Sequence, residues 1–484
     1  MTLHAADRDP AADPGVDIYQ FANGGWLERH TIPAGFGAWG SFEEIHVRNE
    51  AVLRDLLERA AAGATSDVER LIGDAYAAGM DTAAVEAAGL GALRPHLEAA
   101  AAVSSLDDVL ALLPQLHRDG IDAFFAAGTS VDHDDASAHL FWLIPAGLGL
   151  PDRDSYTDGS DAAAALREAY VAHLQRQLHH AGWQADEALA RDVLALETRL
   201  AEQQLRAEER RDPGRILNRR AVAELDAVAA DLALPAYLEA LGAGSAREVN
   251  LAHPPFFSAL PGIIATTDVA TLRAYLAFHV VASYASSLPA AVEDEAFDFY
   301  GRRIEGKTEP KERYQRVVAA LGADMGEALG HGYVAATFPP EAKARALTMV
   351  EAILAEMRAS LRTRAWMTDA TREQGLAKLD TLRVKIGYPD VWRDWSGLAV
   401  ARESYCANRI AAARFEFDRQ LRQLDEPVDV DEWAMPPHAV NAYYHPLRNE
   451  IVFPAGILSP PMFDADADAA VNFGGTGPVI AHAI

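Results

Sequence analysis

One cysteine, Cys406, is all the chain contains in 484 residues. An intrachain disulfide is therefore excluded, which suits a reducing compartment. Positive charge is also short, with 43 Lys and Arg against 71 Asp and Glu and a net charge of −28. Nucleic acid and anionic membrane surfaces would repel such a chain, so neither is expected as a partner. No apolar run approaches the roughly 20 residues needed to span a bilayer. The N-terminus, MTLHAADRDPAADPG, has no basic region followed by an apolar one, so no secretory signal is read there. Together these absences predict a cytoplasmic protein, with a secreted or periplasmic one left open. β-Forming sequence is scarce, confined to 141–144, 384–386 and a hairpin in the last segment.

What is present is a soluble globular composition, 50% hydrophobic and 24% charged. A chain of this length exceeds one ordinary core, so two or more lobes are expected. From Ser41 to about Leu424 the pattern is mostly helical. Leu347, Val350, Ile353, Leu354, Met357 and Leu361 recur at three- and four-residue spacing and mark one apolar stripe. Thr368 and Asp369 begin a further helix, through capping and the helix dipole. VDHDDAS at 131–137 reads as a solvated acidic loop in preference to a metal site. Cys406 reads as a packed thiol. Trp26, Trp39, Trp366, Trp392 and Trp395 read as packing residues.

Chemistry concentrates after Val440, in VNAYYHPLRNEIVFPAGILSPPMFDADADAAVNFGGTGPVIAHAI. Asn441, Ala442, Tyr443 and Tyr444 read as one strand, 445–449 as a turn and 450–453 as the returning strand. A strand at a cleft edge can take an extended peptide as an added strand, and an Asn side chain can both donate to and accept from a peptide backbone. An ordinary edge hairpin explains the same pattern. A Gly-rich loop, GGTGP at 474–478, then opens a helix near Pro478, capped by Thr476 or Gly477. It lacks the G-K-[ST] ending of a phosphate loop. His482 lies on the first turn. It is the opening of an H-E-x-x-H zinc helix with Ala483 in place of the Glu, or else a packed core histidine.

Several long blocks resemble the M13 family of zinc metallopeptidases, the neprilysin-like and endothelin-converting-enzyme-like peptidases. They are DIYQFANGGWLERHTIP at 17–33, GLGLPDRDSY at 147–156 and WMTDATREQGLAKLDTLRVKIGYPDVW at 366–392, followed by the two blocks that reach from 440 to 484. The resemblance implies a mainly α fold with a small α+β catalytic part, two-lobed, of gluzincin type and enclosing a central cavity. It implies an N-terminal block, 1–40, packing on the catalytic lobe, a large helical lobe over 41–427, and the start of the catalytic lobe at 428–484. A variant of that division gives part of 250–300 to the catalytic lobe.

By the same resemblance, Asn441, Ala442 and Tyr443 match the strand that holds the substrate backbone, and His482 matches the first zinc-binding histidine. Ala483 stands at the position of the general-base Glu, which takes a proton from zinc-activated water. The second His and the Glu ligand would lie beyond Ile484. The implied function is zinc-dependent endopeptidase action on short peptides. The chain as it stands is expected to be inactive, with peptide as its partner and a C-terminal fragment completing the zinc site. Three accounts of Ala483 stay open. One is an inactivating replacement in a longer peptidase, another is a naturally inactive peptide-binding relative, and the third is a plain helical scaffold. Val16 and Asn23 stand where secreted members carry cysteines, which points to a disulfide-free branch. Ala38 stands where neprilysin has an arginine for a substrate's terminal carboxylate, which favours endopeptidase over carboxypeptidase behaviour.

Overall fold

The computed structural model describes residues 5–484. It is mostly helical, with one four-stranded and one three-stranded sheet. The chain divides into two compact units. One takes the chain up to Tyr76, Glu305–Trp395 and Val430–Ile484, and the other takes Ala77–Ile304 and Ser396–Asp429. The mainly helical, two-lobed expectation holds. The division along the chain differs from the one drawn above. Residues 41–76 and 305–395 belong with the last segment, and 250–300 stays in the other unit.

Long-range pairing explains that difference. Helix Ser41–Ala62 packs along helix Arg313–Thr337. Between them lies Glu50, only 3% exposed, which accepts from Gln315 Nε2 at 2.7 Å and pairs with Lys311 at 3.2 Å and His46 at 2.9 Å. Burial pushes the Glu50 pKa up, but His46, Lys311 and Gln315 outweigh it and hold the carboxyl below its usual value. Helix Pro340–Thr363 buries Val350 and Leu354 of the predicted stripe and half-buries Leu347, Ile353, Met357 and Leu361, with Met349 buried beside them. Helix Asp369–Asp380 packs against it and is capped by Thr368, whose side chain accepts from Thr371 N. The next strand, Arg383–Gly387, pairs in parallel with Glu450–Pro454, drawing the last segment into this unit.

The second unit is built around a large aliphatic and aromatic core that includes Phe124, Phe141, Tyr170, Phe256, Phe257, Tyr275 and Phe278. Its sheet orders the strands Phe125–Val131, His139–Pro145, Glu248–Leu251 and Arg219–Ala221. Only the second of these was legible in the sequence. FAAGTSV is interrupted by Ala-Ala-Gly and RRA has no β-branched or aromatic residue, and they are strands because their neighbours pair with them. The block at 147–156 is explained here as well. Glu197, fully buried, accepts from Tyr156 Oη at 2.6 Å, Tyr170 Oη at 2.9 Å and Gly149 N at 3.3 Å, and pairs with His279 at 3.1 Å. The acidic loop is ion-paired: Asp132 meets Arg219 at 2.7 Å, and Arg219 also meets Glu248 at 2.6 Å. Cys406 is buried, and burial pushes its thiol up to about 11, as a packed thiol requires. Trp366, 78% exposed, is not a packing residue, whereas Trp395 is.

A pH effect follows from this core. His117 is 2% exposed, with Tyr237 Oη 2.6 Å from Nδ1 and the Ala123 carbonyl 3.1 Å from Nε2. Burial pushes its pKa down to about 4 from 6.5, against the smaller opposing pull of the Ala123 carbonyl. A histidine depressed in the folded state contributes fully above its unfolded pKa, and that contribution is lost as pH falls toward the folded value. Between pH 6.5 and 5, stability should fall by about 2 kcal/mol from this residue alone. Urea denaturation at the two pH values should show the loss, and His117→Gln should remove this residue's share of it.

Candidate active site

The hairpin forms as the sequence predicts, with its first strand displaced. Strand Tyr443–His445 is shorter than 441–444 and begins two residues later, the turn occupies 446–449, and strand Glu450–Pro454 returns. Tyr443 pairs with Val452, Tyr444 with Ile451 and His445 with Glu450. Glu450–Pro454 is the middle strand and is buried throughout, so Tyr443–His445 forms one edge of the three-stranded sheet. Asn441 and Ala442 lead into that edge as irregular backbone. Asn441 is exposed and its Oδ1 accepts from Ala442 N at 2.8 Å. Tyr443 Oη accepts from Ala434 N at 3.0 Å, and burial pushes its pKa up to about 12.

Two features anchor this edge that motif reading did not find. The first is charge inside the sheet. Glu450 is fully buried and pairs with Lys385 at 2.7 Å, and Arg448 stands 3.9 Å away. Lys385 and Arg448 also donate to the Glu432 carbonyl, at 2.8 and 3.1 Å, tying the loop before the hairpin to both strands. The second is the turn. Asn449 adopts a left-handed φ of 44°, and its Nδ2 donates to the Lys378 carbonyl at 2.8 Å. Asn is among the few side chains that take this conformation readily.

Beyond the hairpin, the stretch expected as a Gly-rich loop at 474–478 is divided between two helices, of which the first is Ala469–Gly475. Asp468 caps it through Ala470 N, and Gly474 and Gly475 fall at its end, where glycine is most common. Asn472 fixes the preceding loop by accepting from Asp464 N at 2.9 Å and donating to its carbonyl at 2.7 Å. The following helix, Gly477–Ala483, is preceded by Thr476 at the cap position and has Pro478 in its first turn, close to the predicted start. It packs on helix Pro340–Thr363 and buries Ile480 completely. His482 is exposed and Ala483 is half-buried. His482 is thus an exposed side chain on a docked helix and not a core histidine.

A cavity of about 320 Å³ adjoins the residue before Asn441. Its walls include Ala38, Phe42, His46, Lys307, Lys311 and Val440. A larger one, about 890 Å³, is walled by Trp26, Trp39, Arg48, Pro460 and Pro461, and Arg48 donates to the Pro460 carbonyl. The N-terminal block and the last segment therefore share one unit. Among the described residues no three His, Cys, Asp or Glu side chains gather as a metal-binding group.

Two models described as peptidase family M13 match the chain, one over residues 14–389 and one over residues 441–484. Human endothelin-converting enzyme 1 is 28% identical over 98% of this chain and 64% of its own length. Rat endothelin-converting enzyme-like 1 is 29% identical over 99% and 64%. The chain thus spans 64% of the length of these curated relatives. Among solved structures, the Mycobacterium tuberculosis zinc metalloprotease Zmp1 in complex with inhibitor superposes with a TM-score of 0.93. It is 34% identical and is covered over 74% of its chain by 100% of this one. PepO from Lactobacillus rhamnosis gives a TM-score of 0.89 at 25% identity, covering 97% and 75%.

Proposed function

The chain belongs to peptidase family M13, and on that premise we propose that it carries the peptide-gripping edge and the first zinc-binding histidine of a zinc-dependent endopeptidase for short peptides. The observation that supports this most is the pairing, inside one matched stretch, of an edge strand preceded by Asn441 and Ala442 with an exposed His482 on a docked helix. An extended peptide would lie along Tyr443–His445 and exchange backbone hydrogen bonds with it, largely independent of side-chain sequence. Asn441 offers amide donors and an acceptor beside that path.

Zinc, when bound in such a site, polarises a carbonyl and activates water. The described residues do not complete a site for it. His482 gives one imidazole, whereas a catalytic zinc takes about three protein ligands. Ala483 can neither accept nor donate a proton. A second reading, an inactive peptide-binding relative, is carried by that alanine alone.

Peptide binding separates these proposals from a plain scaffold. A fluorescent, end-blocked short peptide should bind the chain, and Ala442→Pro, which deletes the backbone N–H just before the edge strand and its bond to Asn441 Oδ1, should weaken binding about tenfold. Anisotropy titration reads the change. Equal affinity for both proteins, or no binding to either, would overturn the edge-strand role.

A further inference from the structure

The hairpin that carries 441–445 is closed at its base, and one buried side chain holds both ends of the closure. Gly456 N donates to the Pro437 carbonyl at 2.8 Å, so the chain leaving strand Glu450–Pro454 returns to the residues that precede Asn441. Asn49, on helix Ser41–Ala62 and 4% exposed, spans that junction. Its Nδ2 donates to the Gly456 carbonyl at 3.1 Å and reaches the His438 carbonyl at 3.4 Å. Its Oδ1 accepts from Tyr333 Oη at 2.9 Å, and Tyr333 is 1% exposed on helix Arg313–Thr337. Burial pushes the Tyr333 pKa up to about 12, so the hydroxyl keeps its proton and remains a donor.

The same helix gives the junction a smooth floor. A Cβ at Gly330 would lie 2.5 Å from Pro437 Cδ, at Gly326 2.8 Å from Pro436 Cβ, and at Gly322 3.1 Å from His438 Nε2. A Cβ at Gly456 would lie 2.3 Å from the His438 carbonyl oxygen. The Pro436–Pro437–His438 stretch therefore sits directly on helix backbone. Proline has no N–H to lose there and few conformations to sample. His438 is held neutral by burial, its pKa pushed down to about 4, so no charge disturbs the contact near neutral pH.

We propose that Asn49 and Tyr333 are positioning residues for the peptide-binding edge. They fix the base of the hairpin from two helices and so set where Asn441, Ala442 and Tyr443 stand. The inference rests on the peptide-binding reading given above. The stringency comes from burial: Asn49 uses its donor and acceptor in a dry site, and a change to either leaves polar groups unmatched. Neither residue touches the peptide path itself, so each acts through the backbone at 438 and 456.

Amide hydrogen exchange on the free protein tests the clamp without any ligand, and peptide titration tests its consequence. Tyr333→Phe removes only the hydroxyl, and Asn49→Asp keeps the acceptor for Tyr333 while deleting both donors. Expected for Asn49→Asp is about tenfold faster exchange in 438–445 and about tenfold weaker peptide binding, with Tyr333→Phe smaller in both. Helix Asp369–Asp380 should keep its exchange rates. Unchanged exchange in 438–445 for both variants would overturn the clamp, whether or not peptide binds. Faster exchange with unchanged peptide affinity would overturn its positioning role. Absence of binding by the unaltered chain would overturn the peptide reading and the positioning role together, and the exchange result would then decide only whether the clamp stands as structure.

Discussion

Replacing Glu450 by Ala should lower the stability of the unit that holds the three-stranded sheet by about 3–5 kcal/mol. Glu450 is fully buried, and its partner Lys385 is only 10% exposed at 2.7 Å. Arg448, also 10% exposed, stands beside it. Alanine would leave Lys385 without a carboxylate in a site that water hardly reaches, with the Glu432 carbonyl as its remaining acceptor, while Arg448 would keep the Glu432 carboxylate at 3.4 Å. The cost is that of an unpaired buried charge, far above the ~1 kcal/mol of an exposed pair. The double change Glu450→Met with Lys385→Met removes both charges and should cost markedly less than Glu450→Ala. Urea denaturation followed by tryptophan fluorescence reads both, since Trp395 and Trp433 are buried in this unit. A loss below about 1 kcal/mol for Glu450→Ala would mean that the pair does not anchor the sheet.

The second large effect concerns turnover. Ala483→Glu should raise peptide hydrolysis by about 10²- to 10⁴-fold wherever the remaining zinc ligands are supplied, the range expected for a positioned general base. The position is suited to the change. It follows His482 directly on helix Gly477–Ala483, which is docked through Ile480, and it is half-buried, so a carboxylate there would be partly shielded from solvent. Alanine has a good helix propensity, and glutamate's is close to it. The exchange should therefore alter chemistry with little effect on folding.

How much of this was legible in the sequence depended on the kind of signal. Helix Asp369–Asp380 and the stripe on Pro340–Thr363 followed from capping and period, which are local. The hairpin was readable from alternation, but Asn441 and Ala442 fell outside the regular strand because no partner residue lies opposite them. The Gly-rich stretch read as a loop because two glycines outweigh local helix preference on paper. The Asp468 cap and the Asn472–Asp464 ties decide for helix in the fold. Asn49, Tyr333, Glu450 and Lys385 carried no motif at all. Their roles come from contacts between distant segments, which only the folded chain brings together. The same distance explains the unit division: Ser41–Ala62 looks like any amphipathic helix until its partner Arg313–Thr337 is known.

The central claim is that His482 opens the zinc site of an M13 endopeptidase and that Ala483 is the break in its chemistry. The most direct measurement joins this chain at Ile484 to the segment that follows the matched stretch in Zmp1, with and without Ala483→Glu. Hydrolysis of a quenched fluorescent peptide by the two zinc-loaded proteins is then compared. The account predicts hydrolysis that a chelator abolishes in the Ala483→Glu form, and a rate lower by about two orders of magnitude or more in the Ala483 form. Equal rates in the two forms, or no hydrolysis from a folded, zinc-loaded Ala483→Glu protein, would contradict it.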